Sequence, residues 1–374
     1  MGFGGDPEKV ASEPRQKRGR GLWYSSRMMA RNARFFIYLL ILAALTAGCS
    51  APAGAAPAGA QPTLAPTIAL PTQTSTPTSE PAPTLTPSPA PTDTPAFTPT
   101  PTPAVLIGAG DVAYCGDAPE YQGDDQNAAL IEALLLPAAP HAVVFVAGDI
   151  VQGEGRAVEY RNCFDPTWGR FKERIRPVPG NHDYMTTGAA PYYEYFGEAA
   201  GQPGLGYYSY DVGDWHIVAL NSNCNDIACG PNSDQVKWLE QDLANNPKTC
   251  TLAYWHHPRF SSGLAGGSGS VNPFWRTVVE MGVDVVVNGH DHDYERFAPM
   301  GVEGNADPNG PRLFIVGTGG GVLREFGEVK PNSEVRYSGT NGVIQFKLYP
   351  TSYEWTFYPV DDPAKTDMGT GTCH

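Results

Sequence analysis

The chain has 374 residues, of which 42 are Gly, 36 are Pro and only 17 % are charged, with a formal net charge of −14. That charge is unevenly spread: residues 1–49 carry eight Lys/Arg against three Asp/Glu, whereas residues 104–374 carry 17 against 34, a net −17. So acidic a C-terminal portion lacks the basic surface that non-specific nucleic-acid binding needs, and that function class is excluded.

Arg31 and Arg34 precede the apolar run Phe35–Ala47, which ends at Thr46-Ala47-Gly48-Cys49. Basic residues, a short apolar stretch and small residues before a cleavage point describe an export signal over residues 1–48. The run is shorter than the roughly 20 residues a membrane-spanning helix needs. Its end resembles the lipobox of bacterial lipoproteins, which implies a lipid on Cys49 as the chain's one link to a membrane. The alternative is simple secretion after cleavage. The long stretch ahead of Met28-Met29 places the expected start at one of those two residues.

Residues 50–103 contain 15 Pro and 13 Thr with only two charges, Glu80 and Asp93. Proline fixes φ and removes donors, so residues 49–103 read as a lipidated cysteine followed by a disordered spacer of polyproline II character. At about 3.1 Å per residue its full reach is roughly 170 Å. Beyond it, residues 104–374 form one folded domain. Six further cysteines in an exported domain suggest three disulfides. Cys224 and Cys229 are close enough to close a small loop, and the expected partners of the others are Cys115–Cys163 and Cys250–Cys373. A thiolate metal site is the competing reading, but no pair shows zinc-knuckle spacing.

In chain order, strands are expected at Val105–Ala109, Ala142–Ala147, Thr251–Trp255 and Val283–Val287, each rich in β-branched or aromatic residues and followed by a polar turn. Helices are expected over 125–136, 166–174, 233–244 and 273–281. Hairpins are expected over 207–221 and 343–360. Strands alternating with helices predict an α/β domain with a mixed sheet, whose ligands bind at strand carboxyl ends.

Those ends carry five short segments: Gly110-Asp111, Gly148-Asp149, Gly180-Asn181-His182-Asp183, His256-His257-Pro258 and Gly289-His290-Asp291-His292. Singly, each reads as an ordinary turn or a structural histidine. Together their carboxylates, amide and imidazoles suit first-row metal ions, and two such ions can clamp a phosphate and activate water. The order and wording of these segments, with Tyr294-Glu295-Arg296 after the last and Tyr254-Trp255 leading into His256, resemble the calcineurin-like metallophosphoesterase superfamily and its purple acid phosphatase-like branch.

The resemblance implies two β-sheets packed as a sandwich and flanked by helices, and two Fe, Zn or Mn ions. Asp149 would bridge the ions, with Asp111 and His292 on the first and Asn181, His256 and His290 on the second. His182 would donate a proton to the leaving alkoxide, with Asp183 orienting it, and the nucleophile would be a metal-bound hydroxide. His257 would either face the substrate or pack structurally. The chain departs from the pattern at Ala113, where many members have His, and at Gln152, where the purple branch has the Tyr whose phenolate gives ferric enzymes their colour. Gln152 or Tyr114 could substitute for that ligand, and Arg296 or Arg259 could add charge near the ester. The implied activity is hydrolysis of small phosphate monoesters by an exported protein. A phosphodiesterase or nucleotidase on the same site, or a non-catalytic cell-surface binding protein, are the alternatives. The Gly/Ser-rich loop Ser261–Ser270 is expected to be mobile and to influence substrate choice.

Overall fold

The computed structural model describes residues 102–116 and 123–374. The expected signal, Cys49 and almost all of the Pro/Thr spacer lie outside them. Thirteen strands among the described residues form two sheets. The first contains β1 (Ala104–Ala109), β2 (Val143–Ala147), β3 (Ile175–Val178), β11 (Gly342–Tyr349), β12 (Ser352–Pro359) and β13 (Asp367–Thr372), in the order β13-β12-β11-β1-β2-β3. The second contains β4 (Tyr208–Val212), β5 (Trp215–Ala219), β6 (Cys250–Tyr254), β7 (Val285–Asn288), β8 (Tyr294–Phe297), β9 (Arg312–Val316) and β10 (Ser333–Tyr337). Its order is β10-β8-β9-β7-β6-β5-β4. The two sheets are the expected sandwich.

Burial follows from the sequence pattern. On β6, Cys250, Leu252 and Tyr254 point into the core between the sheets, while Ala253 points to the outer face. β5, β7 and β9 alternate in the same way, because successive strand side chains face opposite sides. The outer face is covered by α3 (Asp234–Asn245) and α4 (Asn272–Glu280), whose Val236, Leu239, Phe274, Trp275 and Val278 meet Val286, Leu313 and Ile315. With both faces buried, these strands are mostly apolar, with His216, Thr251, Asn288 and Arg312 as their polar positions. α1 (Gly123–Leu130) continues as a π-helical turn, Ile131–Leu135, and α2 (Ala190–Phe196) follows β3. The helix expected over 166–174 is a 3-10 segment, Trp168–Arg174, broken by the non-helical Phe171.

The pairing that positions the site is parallel. β1, β2 and β3 run parallel in one sheet, and β5, β6, β7 and β9 in the other. Parallel strands deliver their carboxyl ends to one edge. The two sheets join there, where the Gly110 amide, after β1, donates to the Val316 carbonyl of β9 at 2.8 Å.

All six cysteines of the domain pair as expected: Cys115–Cys163, Cys224–Cys229 and Cys250–Cys373. The last ties the residue after β13, in the first sheet, to the start of β6 in the second. Bridged sulfurs leave none of these six as a thiolate ligand.

Candidate metal centre and active site

Each of the five segments follows the carboxyl end of one of these strands, and their side chains converge. Donor atoms of Asp111, Asp149 and His256 all lie within 4.8 Å of one another, as do those of His256, His257 and His290. Asp111, Asp149 and His290 adopt φ of 60°, 47° and 73°, a conformation non-glycine residues rarely hold. The strain falls on the functional residues themselves, and the glycines beside them supply room. A Cβ on Gly180 would sit 2.1 Å from Asp149 Oδ1, and one on Gly289 would sit 2.5 Å from Asp111 Oδ2. Gly148 needs both freedoms: its φ is 85°, and a Cβ there would lie 2.4 Å from His256 Nδ1.

The imidazoles are aimed by backbone carbonyls. His256 Nδ1 lies 2.9 Å from the Ala147 carbonyl, so it donates there and Nε2 carries its lone pair into the site. Around that lone pair stand Asn181 Oδ1 at 3.2 Å, His290 Nδ1 at 3.3 Å and Asp149 Oδ2 at 3.4 Å. His292 repeats the arrangement. Its Nδ1 lies 2.7 Å from the Val322 carbonyl, and its Nε2 faces Asp111 Oδ1 at 3.2 Å. Among the described residues, that buried oxygen has no hydrogen-bond donor. A nitrogen lone pair and a carboxylate oxygen facing each other in a buried space require a positive charge between them. Histidines that donate one nitrogen to a carbonyl and point the other inward are the usual form of metal-ligating imidazole. The residues therefore fit two cations sharing Asp149: Asp111 and His292 toward one, Asn181, His256 and His290 toward the other.

The electrostatics agree. Burial pulls the His256 imidazole down, but the Asp149 and Asp111 carboxylates outweigh it and push it up to about 9. Burial likewise opposes ionisation of Asp149, yet His256 holds its carboxyl well below the ordinary range.

Three expected residues stand elsewhere. Asp183 does not orient His182: its Oδ2 accepts from Gly180 N at 2.8 Å and Ile150 N at 3.3 Å, and its Oδ1 from the Tyr160 hydroxyl at 2.6 Å. The His182 imidazole is instead held by the Gly153 carbonyl, 2.7 Å from Nδ1. Arg296 is occupied by Asp367 at 2.7 Å, by Glu334 and by the face of Trp355, so it adds no charge near an ester. Arg259 bonds Asn272 at 3.1 Å and covers the Phe260 ring. Nor does the whole 261–270 loop hang free. Asp291, between the two site histidines, accepts from Ser261 Oγ, from Ala265 N at 2.7 Å and from Gly266 N at 3.1 Å.

Gln152 is buried beside the first group. A Cβ on Gly321 would lie 3.2 Å from Gln152 Cδ, from His292 Cε1 and from the Asp111 carbonyl alike, and Gln152 Nε2 has no hydrogen-bond partner among the described residues. Tyr114 is half-buried, one residue past Ala113, which pairs with Val151. His257 bonds Ser222 Oγ through Nδ1 at 2.9 Å and stands 4.5 Å, ring to ring, from His290. It lines a cleft of about 400 Å³ that opens beside Asn181, with Tyr184, Met185, Asn225, Asp226, Ser268 and Ser270 among its walls. The Gly153, Ala147 and Val322 carbonyls that aim the histidines have no side-chain signature, and sequence reasoning did not reach them.

Residues 102–294 match the family model for calcineurin-like phosphoesterases. The chain belongs to that family. Among curated relatives it is 30 % identical over 177 residues to purple acid phosphatase 15 of Arabidopsis thaliana, covering 41 % of this chain and 32 % of that one. To purple acid phosphatase 18 of the same plant it is 25 % identical over 261 residues, covering 61 % and 56 %. Among solved structures, the purple acid phosphatase PPD1 from yellow lupin (Lupinus luteus) seeds shares the fold with a TM-score of 0.58 at 18 % identity, covering 72 % of this chain and 53 % of that one. The chain thus spans about a third to somewhat over half the length of these two curated relatives.

Proposed function

We propose that this chain is an exported phosphoesterase that hydrolyses phosphate monoesters with two metal ions held by Asp111, Asp149, Asn181, His256, His290 and His292. The observation that supports it is the convergence of acceptors: Asp111 Oδ1, which has no hydrogen-bond partner among the described residues, faces His292 Nε2, and Asp149 Oδ2 faces His256 Nε2. When bound, such ions neutralise the ester's oxygens and make a water acidic enough to attack at neutral pH.

The chain's own residues supply the rest. Gly153 fixes the His182 ring so that Nε2 faces the site, 3.9 Å from Asp149 Oδ2. An imidazolium held there can pass a proton to the leaving oxygen. Asp149 Oδ1 accepts from the His182 backbone amide at 2.8 Å, which couples the position of the proton donor to that of the shared carboxylate. A long-range repulsion between a −17 domain and an anionic ester makes binding depend steeply on metal loading.

The domain proposal is a signal over residues 1–48, a spacer with Cys49 as its lipid site over 49–103, and a catalytic domain over 104–374. Three disulfides accord with an oxidising destination. Purified full chain, loaded in turn with Fe, Zn and Mn, is to be assayed with p-nitrophenyl phosphate and its bis-ester. Turnover of the monoester supports the reading. Preference for the bis-ester would make the protein a diesterase, and no turnover with two ions bound would leave a binding protein.

A further inference from the structure

Resting on the monoesterase reading, we infer that the cleft beside Asn181 and His257 selects the leaving group: it takes an uncharged, hydroxyl-bearing alcohol the size of glycerol or one sugar ring and disfavours alcohols carrying a second phosphate. The cleft is continuous with the cation site, because Asn181 and His257 belong to both the converging cluster and its wall. The turn that carries His182 also contributes Asn181, Tyr184 and Met185, so the alcohol departing toward the proton donor leaves along this wall. Its volume of about 400 Å³ is at the small end for a ligand site.

The wall's chemistry is hydroxyls and amides. Asn225, Ser268 and Ser270 make no hydrogen bond through their side chains within the described residues, and they are available to an alcohol's hydroxyls. Ser222 and Asn223 are already committed, to His257 and to the Pro179 carbonyl and Asn221, and they stiffen the wall. The disulfide Cys224–Cys229 closes the loop from which Asn225 and Asp226 project. Asp291 holds the segment leading to Ser268 through Ala265 and Gly266.

Among the described residues, the wall's charge is a single carboxylate, the exposed Asp226, and no Lys or Arg lines it. The candidate cations nearby act elsewhere: Arg259 bonds Asn272, and the charge of Arg324 bears on His292 and Asp293 at the opposite ligand set. The reacting phosphoryl group is matched by the metal charges, but a second phosphate on the alcohol would enter a space that offers no countercharge. In a cleft this small it would lie within about 8 Å, one Debye length at physiological salt, of Asp226.

The test compares kcat/KM of the metal-loaded full chain for glycerol 3-phosphate, glucose 6-phosphate and fructose 1,6-bisphosphate, with p-nitrophenyl phosphate as the reference. The expected result is at least about tenfold preference for the two singly phosphorylated substrates over the bisphosphate, the scale of an unmatched like-charge contact. In Asp226→Lys that ratio narrows by about the same factor. Equal or better turnover of the bisphosphate, or a ratio unmoved by Asp226→Lys, overturns the inference. Hydrolysis of p-nitrophenyl phosphate with none of the other three overturns it too, while leaving the monoesterase reading intact. No hydrolysis of any substrate with two ions bound defeats both.

Discussion

His182 Nδ1 lies 2.7 Å from the carbonyl oxygen of Gly153, while the adjoining Asp183 turns its carboxylate toward Gly180, Ile150 and Tyr160. The two neighbours in one motif are therefore placed differently, the His182 ring beside Asp149 and the Asp183 carboxylate within the turn. His182→Ala should lower kcat by about 10²–10⁴ without changing metal content or melting temperature, as loss of a general acid does. Asp183→Ala should instead cost about 1–3 kcal/mol of stability, because two buried amides and a phenol lose their acceptor. Thermal melts and steady-state kinetics on the pair separate the roles. Equal kinetic loss with equal stability in both variants would contradict this assignment.

Glycine 180 is required for space beside the shared carboxylate. A methyl group there meets Asp149 Oδ1 at 2.1 Å and the Asp149 amide nitrogen at 2.2 Å, so Gly180→Ala must displace Asp149. Metal analysis of the variant should show fewer ions per chain than the parent protein, with activity falling in step.

Colour provides an independent view of Gln152. Loaded with ferric iron, the protein should show no phenolate charge-transfer band from this position. Gln152→Tyr places a phenol beside His292 and Asp111 and should introduce one in the visible spectrum. A spectrum unchanged by the substitution would mean that side chain 152 does not reach the iron.

Far from the site, buried His216 lies 2.8 Å from Asp242 and 3.1 Å from Asp211. Burial lowers its imidazole, but hydrogen bonds to Asp242 and Asp211 outweigh that and raise it above 6.5. A raised folded value means that the stabilisation is fully present below pH 6.5 and is lost as pH rises through the folded value. Denaturant melts across pH 5–9 should show this decline, and His216→Gln should flatten it.

The bridge Cys250–Cys373 closes a 123-residue separation and clasps the two sheets. In the chain-entropy account a loop of that length stabilises by about 4–5 kcal/mol. Replacing both cysteines with serine should lower the melting temperature by on the order of 10 °C.

Much of this was legible in the sequence because it depends on period and side-chain type. Apolar runs such as Ala142–Ala147 announce buried strands, and a Gly-Asp or Gly-His-Asp-His turn announces a strand end. That the turns gather at strand carboxyl ends followed from strands alternating with helices, whereas the division into two sheets came from the family resemblance. The edge strands β10 and β13 were missed because Ser333–Tyr337 and Asp367–Thr372 are only half-buried and carry no apolar run. Arg296 and Asp183 looked functional because they sit inside or beside the motifs. Their partners, Asp367 and Tyr160, are 71 and 23 residues away, a distance that local reading does not cross. The left-handed backbone at Asp111, Asp149 and His290 was equally hidden, since the preceding glycine draws attention from the strained residue itself.

The central claim is that two cations sit side by side on Asp149. Anomalous scattering from crystals of the zinc-loaded protein tests it most directly. Two peaks are expected, one among Asp111, Asp149 and His292 and one among Asp149, Asn181, His256 and His290. A single peak, or zinc bound away from Asp149 altogether, would contradict it.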